Sequence, residues 1–436
     1  MREGSIISTP PGTPIASPSE AKNLLNRFQA PLSRRWRQLA WLAREEGMAG
    51  VSSRLRLKLA DAIRPSQRRW AVRPEDVLAA DLDAPFVPLI PKCEAGKPIL
   101  VNWVMTGPGP GSGGHTTMFR VLRHLEANGF RNRVYLYHPS LTDPDYYVSV
   151  IRNYYGFGGP VARLDGAMDD AHAVIATSWP SAYPVFNARS SGKRFYFVQD
   201  LEPDFYPVGA ERILAENTYR MGLHAITAGR WLAERLTKDY SMAADHFDFG
   251  CDTQRYRNRG EARTGIVYYA RPSTPRRGFE IGLLALQILK ARRPDIEIHL
   301  YGERVGRLPF KATDHGTVTP DRLNGIYNRC FAGLSLSFTN VSLVPLEMLA
   351  TGCIPVVNEA HHNRLVLDSP HVRYAAPTPH ALARALEEIV SAADFGALSS
   401  AAAQSQAASS WDNAGETVAD VIRRTIGKAG APIMAT

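Results

Sequence analysis

From residue 98 onward the chain repeats one pattern: a short run of β-branched, aromatic and aliphatic residues, a loop, then apolar residues at helical spacing. In a first series the strand-like runs are 99–105, 133–137, 173–177, 194–198 and 225–228, with helical patterns at 117–128 and 211–221. A second series has runs at 265–270, 296–301, 332–337 and 354–357, with helical patterns at 280–292, 319–329, 344–351 and 379–392. Short apolar strands that alternate with helices belong to parallel sheets covered on both faces. A break near 251–263 divides the pattern, so the expected fold class is α/β with two doubly wound domains, 98–255 and 262–410, facing each other across a cleft. Residues 411–427 are expected to form a helix that returns to the first domain. Ligands of such folds sit beyond the carboxyl ends of the strands, which makes the strand-end loops the place to look for chemistry.

Length agrees with this division, because 436 residues exceed what one hydrophobic core usually supports. A hydrophobic content of 44% with 21% charged residues excludes a disordered chain. No apolar run approaches the roughly eighteen residues needed to span a bilayer. The N-terminus lacks an apolar signal region, so a cytoplasmic protein is expected. Cys93, Cys251, Cys330 and Cys353 are scattered and fit neither a zinc site nor a disulfide scaffold.

The net charge of +9 is concentrated. Between Glu20 and Arg73 thirteen Lys and Arg residues face four acids, an excess of nine that equals the charge of the whole chain. The rest is close to neutral, which argues against a nucleic-acid partner. Residues 1–20, rich in Pro, Ser, Thr and Gly, read as a disordered tail. Residues 21–97 read as a basic amphipathic helical extension, helical over 21–63, followed by a Pro-rich extended linker over 74–97. Two readings of the stretch 21–73 stand side by side. It can lie on an anionic membrane surface, placing the protein peripherally at the inner face of the membrane, or cover the catalytic body with its arginine stems.

The first strand-end loop is TGPGPGSGGHTT, residues 106–117. It formally contains a dinucleotide fingerprint, but the second strand ends in Tyr135, Leu136, Tyr137 and His138, with no acid for a ribose hydroxyl. A nicotinamide cofactor is therefore not expected. Five glycines in the loop let an acceptor approach closely, which singles out Gly113, Gly114 and His115. The stretch YFVQDLEPDFYP, 196–207, ends a strand in Gln199, Asp200, Glu202 and Asp204, groups suited to hydroxyl recognition or general-base work. In the second series, YYARPSTPRRGFE at 268–280 sets Arg271 directly after a strand, and Arg276 and Arg277 before a helix. Guanidinium groups at that position suit a diphosphate. The segment LSLSFTNVSLVPLEMLATGCIPVV, 334–357, joins strand, loop, helix and strand, with free N–H groups near Ser342 and Leu343 and with Glu347 within two turns of the helix start.

Here the sequence resembles a known family. PLEMLATGCIPVV and YYARPSTPRRGFE resemble the donor-site motifs of family 4 GT-B glycosyltransferases, IEIHLYGERVG resembles the strand that ends in glycine, here Gly302, and Trp411 the aromatic near their last helix. GGHTTMFR, YFVQDLEPDFYP and AENTYRMGLHAITAG are similar to bacterial rhamnosyltransferases of surface and S-layer glycans. The resemblance covers about residues 98–425. It implies two Rossmann-like domains and metal-independent transfer of a deoxyhexose, L-rhamnose above others, from a dTDP- or UDP-type nucleotide sugar. The acceptor it implies is a growing glycan or lipid-linked glycan. Donor contacts then fall to Arg271, Arg277, Gly302, Thr339, Asn340, Ser342, Leu343 and Glu347; acceptor contacts to Gly113, Gly114, His115, Gln199 and Asp204; catalysis to His115, Asp200, Glu202 and Glu347. The family's first glutamate is replaced by Thr339, which leaves the stereochemical outcome open. No cofactor and no metal are expected. Asp81 to Asp83 and Asp143 to Asp145 form Asp-x-Asp triplets in loops beside prolines, and His361 and His362 read as loop residues near the donor site. An epimerase or phosphorylase on the same fold, or an inactive polysaccharide- or membrane-binding scaffold, are the rival functions.

Overall fold

The computed structural model describes residues 41, 44, 47–63, 70–139 and 143–429. The expected tail at 1–20 and most of the expected helix before Gly47 lie outside them. The chain divides into two compact units, residues 1–69 and 70–436.

In the first unit, Gly47–Ile63 is a helix. At 100° per residue Met48, Val51, Leu55, Leu59 and Ile63 fall on one side, with Arg54 and Lys58 on one flank and Arg56 on the other. Leu55, Leu59 and Ile63 are 58, 64 and 74% exposed.

The second unit is built on two sheets, parallel throughout. The first has the order β3-β2-β1-β4-β5-β6-β7. Its strands are β1 (Ile99–Met105), β2 (Phe130–Leu136), β3 (Val161–Arg163), β4 (Ala173–Ala176), β5 (Lys193–Val198), β6 (His224–Ala228) and β7 (Ala244–Phe247). The second runs β10-β9-β8-β11-β12-β13. It comprises β8 (Gly265–Ala270), β9 (Glu297–Gly302), β10 (Thr313–Asp314), β11 (Cys330–Leu334), β12 (Ile354–Asn358) and β13 (Arg373–Ala375). Both orders reverse beside their first strand, between β1 and β4 and between β8 and β11, and each reversal opens a crevice at the carboxyl ends.

Pleating explains why the strands read as continuous apolar runs. In β1, Val101, Trp103 and Met105 join the core on one face of the sheet, while Val104 joins the core on the other. The helix Trp411–Ala429 packs Val418, Ile422 and Ile426 into the first of these cores. The sequence pattern missed β3, β7, β10 and β13, which are two to four residues long, too short to carry a period.

The expected extended linker at 74–97 needs correction. Pro74 opens a short helix, Pro74–Leu78, where its missing N–H costs nothing. The Tyr137 hydroxyl donates to Asp76 at 2.6 Å and accepts from the Arg73 N–H at 2.9 Å, and the Arg73 guanidinium lies 5.0 Å from the Tyr137 ring centre. Farther along, the Leu89 carbonyl accepts from the Gly192 N–H at 2.7 Å. The segment is a strap tied to the first sheet. The expected helix at 211–221 is also interrupted: Ala210–Asn217 is α-helical and Thr218–Arg220 tightens into a 3-10 turn.

Candidate functional site

A cleft of about 440 Å³ lies where the carboxyl ends of the two sheets meet. Its first-sheet wall carries Ser112, Gly113, Gly114, His115, Thr177, Ser178, Gln199, Asp200, Glu202 and Phe205. Its second-sheet wall carries Tyr269, Arg271, Arg276, Arg277, Ser342 and Leu343. Of the residues singled out from sequence, Gly113, Gly114, His115, Gln199, Asp200, Glu202, Arg271, Arg277, Ser342 and Leu343 are thus brought together. Gly302, Thr339, Asn340, Glu347 and Asp204 are not among the lining residues.

The first wall is local in origin. The helix Gly113–Ala127 starts inside the glycine-rich loop, so His115 sits in its first turn. A side chain at Gly114 would press on the Gln199 amide at 3.3 Å, which explains why that position stays bare. The His115 Nε2–H donates to the Thr106 carbonyl at 3.2 Å, which leaves Nδ1 to accept from the Ser112 hydroxyl at 2.8 Å. Burial lowers the His115 pKa, against the opposing pull of the Thr106 carbonyl, so the ring is neutral at physiological pH.

Glu202 is 6% exposed. It accepts from the Trp179 N–H at 2.6 Å and from the Tyr196 hydroxyl at 3.1 Å. Burial raises its pKa to about 7 despite these donors, which favour the charged form. A carboxyl that exchanges its proton near neutrality, on the wall of a cleft, is suited to general-base work.

Asp200, also expected to be catalytic, has partners on both sides of the cleft. Its Oδ1 accepts from the Leu201 N–H at 2.9 Å and from the Asn340 N–H at 2.8 Å, and its Oδ2 pairs with the Arg276 Nε at 3.1 Å. The carboxylate is engaged in tying the two walls together. Asp204, expected as an acceptor contact, pairs with Arg212 and is not among the residues that line the cleft.

The second wall holds three arginines. Arg271 pairs with Glu303 at 2.7 Å and reaches the Tyr269 hydroxyl at 3.3 Å. Arg276 is held by Asp200 and lies 3.8 Å from the centre of the Phe205 ring. Arg277 donates to the Asn340 carbonyl at 3.4 Å, and among the described residues no carboxylate pairs with it. Burial pulls the Arg277 pKa down, although Asp200 favours the charged form. Three guanidinium groups against two carboxylates leave the wall short of an anion, and planar forks of this kind match phosphate oxygens. Arg276, which the sequence sets beside Arg277 as suited to a diphosphate but which is absent from the donor contacts implied by the resemblance, lines the cleft as well. Tyr269, Thr177, Ser178 and Phe205 carried no signal in the sequence.

The other donor candidates have structural duties. Gly302 ends β9 at φ +118, where a Cβ would lie 2.6 Å from the Ala270 carbonyl, so its glycine is required by backbone approach. The Asn340 amide donates to the carbonyls of Gln199 and Ala228, at 2.9 and 2.8 Å. Thr339 is 3% exposed and its hydroxyl has no partner. Glu347 sits on the helix Val344–Ala350 beside the buried cluster that contains Tyr256, Tyr301 and Tyr327. Burial raises its pKa to about 7, while Arg120 and Tyr256 favour its charge. Its side chain therefore sits with these tyrosines and apart from the lining of the cleft.

His361 and His362 open a helix, His361–Leu367, rather than a loop. His362 donates to the Ser337 carbonyl at 2.9 Å and packs 5.2 Å from the Trp231 ring. The aspartate triplets serve the backbone: Asp143 accepts from the Asp145 and Tyr146 N–H groups that open their helix, and Asp81 accepts from the Asp83 N–H.

This architecture, two parallel α/β domains with a cleft between their strand ends, is the GT-B fold of glycosyltransferases. It is similar to the structure titled TarM (TM-score 0.59, 8% identity, covering 74% of this chain and 98% of that one). It is likewise similar to Anabaena Alr3699/HepE in complex with UDP-glucose (TM-score 0.56, 14% identity, 76% of this chain and 100% of that one). In sequence, residues 264–387 match the family described as WsaF, C-terminal domain. The O-antigen biosynthesis protein RfbC of Myxococcus xanthus is 30% identical over 361 residues, which cover 79% of this chain and 28% of RfbC. The chain thus spans little more than a quarter of the curated relative it matches.

Proposed function

We propose that the protein is a glycosyltransferase of glycan biosynthesis that moves a deoxyhexose, L-rhamnose in the first instance, from a dTDP- or UDP-type donor to a growing glycan, without a metal ion. The observation that carries this reading is the anion-deficient wall of Arg271, Arg276 and Arg277. Bound UDP and UDP-glucose in the Anabaena structures of the same fold support a nucleotide diphosphate as its occupant. The similarity to RfbC, an O-antigen biosynthesis protein, supports a glycan as the product.

In the reaction an acceptor hydroxyl attacks the anomeric carbon and the bond to the diphosphate breaks. Negative charge gathers on the departing phosphate, where fixed guanidinium groups stabilise it more in the transition state than in the bound donor. Glu202 is assigned as the group that receives the acceptor proton. The helix Gly47–Ile63, with apolar residues on one side and Arg54, Arg56 and Lys58 on its flanks, is assigned to an anionic membrane surface on which a lipid-linked acceptor would lie. No helix among the described residues is long and apolar enough to cross a membrane.

The test is a melting-temperature panel of UDP, dTDP and their sugars, with EDTA present, followed by an assay of nucleoside diphosphate release. A dTDP- or UDP-sugar is expected to stabilise the protein, and release is expected only when a glycan acceptor is added. Stabilisation by no nucleotide, with or without Mg²⁺, overturns the reading. Release without acceptor points to an epimerase, and activity restored only by Mn²⁺ or Mg²⁺ overturns the metal-free mechanism.

A further inference from the structure

The loops that follow β5 and β11 belong to different sheets, and they interlock. The Asn340 N–H donates to Asp200 Oδ1 at 2.8 Å, and the Arg276 Nε–H donates to Oδ2 at 3.1 Å. In the other direction the Asn340 amide donates to the carbonyls of Gln199 and Ala228. Asp200 and Asn340 are 9 and 1% exposed, so water does not replace a bond lost here. Phe205, from the first-sheet side, supports the Arg276 guanidinium at 3.8 Å.

This arrangement separates Arg276 from its two neighbours. Arg271 is paired with Glu303 and Arg277 with the Asn340 carbonyl, both partners from the second domain. Arg276 alone of the three is fixed by groups of the first domain. With its Nε given to Asp200, its two terminal nitrogens remain for a ligand in the cleft that its side chain lines.

We propose that Asp200 is a positioning residue, which acts through Arg276 to make diphosphate binding depend on contact between the two domains. The inference rests on the reading of the cleft as a diphosphate site. It carries a sign opposite to that of simple electrostatics. A carboxylate beside a phosphate site repels the anion, so its removal should tighten binding if charge alone mattered. If Asp200 instead holds the guanidinium in place, its removal weakens binding, and does so only while Arg276 is present.

A double-mutant cycle of Asp200→Asn and Arg276→Gln decides this, read by calorimetry with UDP, dTDP and inorganic pyrophosphate as probes. Each single variant is expected to bind the preferred probe about tenfold more weakly, the effect of losing a charge-assisted contact. The double variant is expected to bind no more weakly than Arg276→Gln alone. In a transfer assay, Asp200→Asn should raise the donor KM and leave the acceptor KM unchanged. Phe205→Leu removes the other support of Arg276 without touching the buried carboxylate. It should show the same dependence on Arg276, and it serves if Asp200→Asn fails to fold. Tighter binding by Asp200→Asn, or additive losses in the cycle, overturns the inference and leaves the diphosphate site standing. A wild-type protein that binds none of the three probes overturns both.

Discussion

Arg277 offers the sharpest separation of function from stability in this cleft. Among the described residues its guanidinium makes one hydrogen bond, of 3.4 Å, to a backbone carbonyl. The side chain is half-buried and lines the cleft, so its other donors lack protein partners there. A diphosphate supplies those partners. Hydrogen bonds to charged groups contribute about 1.5–3 kcal/mol, so the variant Arg277→Gln should bind UDP or dTDP roughly tenfold to a hundredfold more weakly. The same change should not lower the melting temperature of the unliganded protein by more than about 2 °C, since it removes one long hydrogen bond of a half-buried side chain. Calorimetric titration measures the first quantity and scanning calorimetry without ligand the second. The contrast is with Arg271, whose loss removes the cation paired with Glu303 and leaves that carboxylate held, among the described residues, only by the Ser273 N–H and hydroxyl. Unchanged nucleotide affinity in Arg277→Gln, or a melting temperature that falls by many degrees, would refute the assignment of this residue to the anion.

Glu202→Gln is expected to lower kcat by about two orders of magnitude or more, the usual effect of losing a general base, and to abolish the rise in rate as pH passes through about 7. Stability should respond with the opposite sense. Because burial raises this acid's folded pKa above its unfolded value of 4.5, ionisation costs the wild type stability progressively from about pH 4.5 to 7. The gain in melting temperature of Glu202→Gln over wild type should therefore grow across that window and level off above it, and a pH-independent difference would refute the buried-acid description. For the N-terminal unit, deletion of residues 1–69 should abolish salt-sensitive binding to anionic vesicles while leaving transfer to a small soluble acceptor intact. Co-sedimentation that is unchanged by the deletion would remove the membrane assignment.

What the sequence disclosed of this site follows from how the fold brings residues together. Arg271 and Gln199 were legible because each follows the end of a strand of its own, and His115 because it opens the helix after the loop that leaves β1; doubly wound topology sends all such positions to one cleft. Position along a strand carries that information without any knowledge of partners. Asp200 was legible as a site residue and illegible as to role, because its partners, Arg276 and Asn340, stand 76 and 140 positions away on another domain. A carboxylate at a strand end reads the same whether it serves a substrate or a neighbouring loop. Glu347 shows a different limit. Its motif places it correctly on the helix after β11, but at 100° per residue the helix turns its side chain toward Tyr256 and Tyr301 rather than toward Ser342 and Leu343 in the cleft. Spacing within one element therefore identified the neighbourhood, and the packing of two domains decided which side chains meet there. The same reasoning applies to Thr339, where the resemblance to family 4 leads one to expect a glutamate. Its position is buried, at 3% exposure, with its hydroxyl unpartnered in a loop whose geometry is already fixed by Asn340. A carboxylate there would lie buried and would need its own cation to offset the lost hydration.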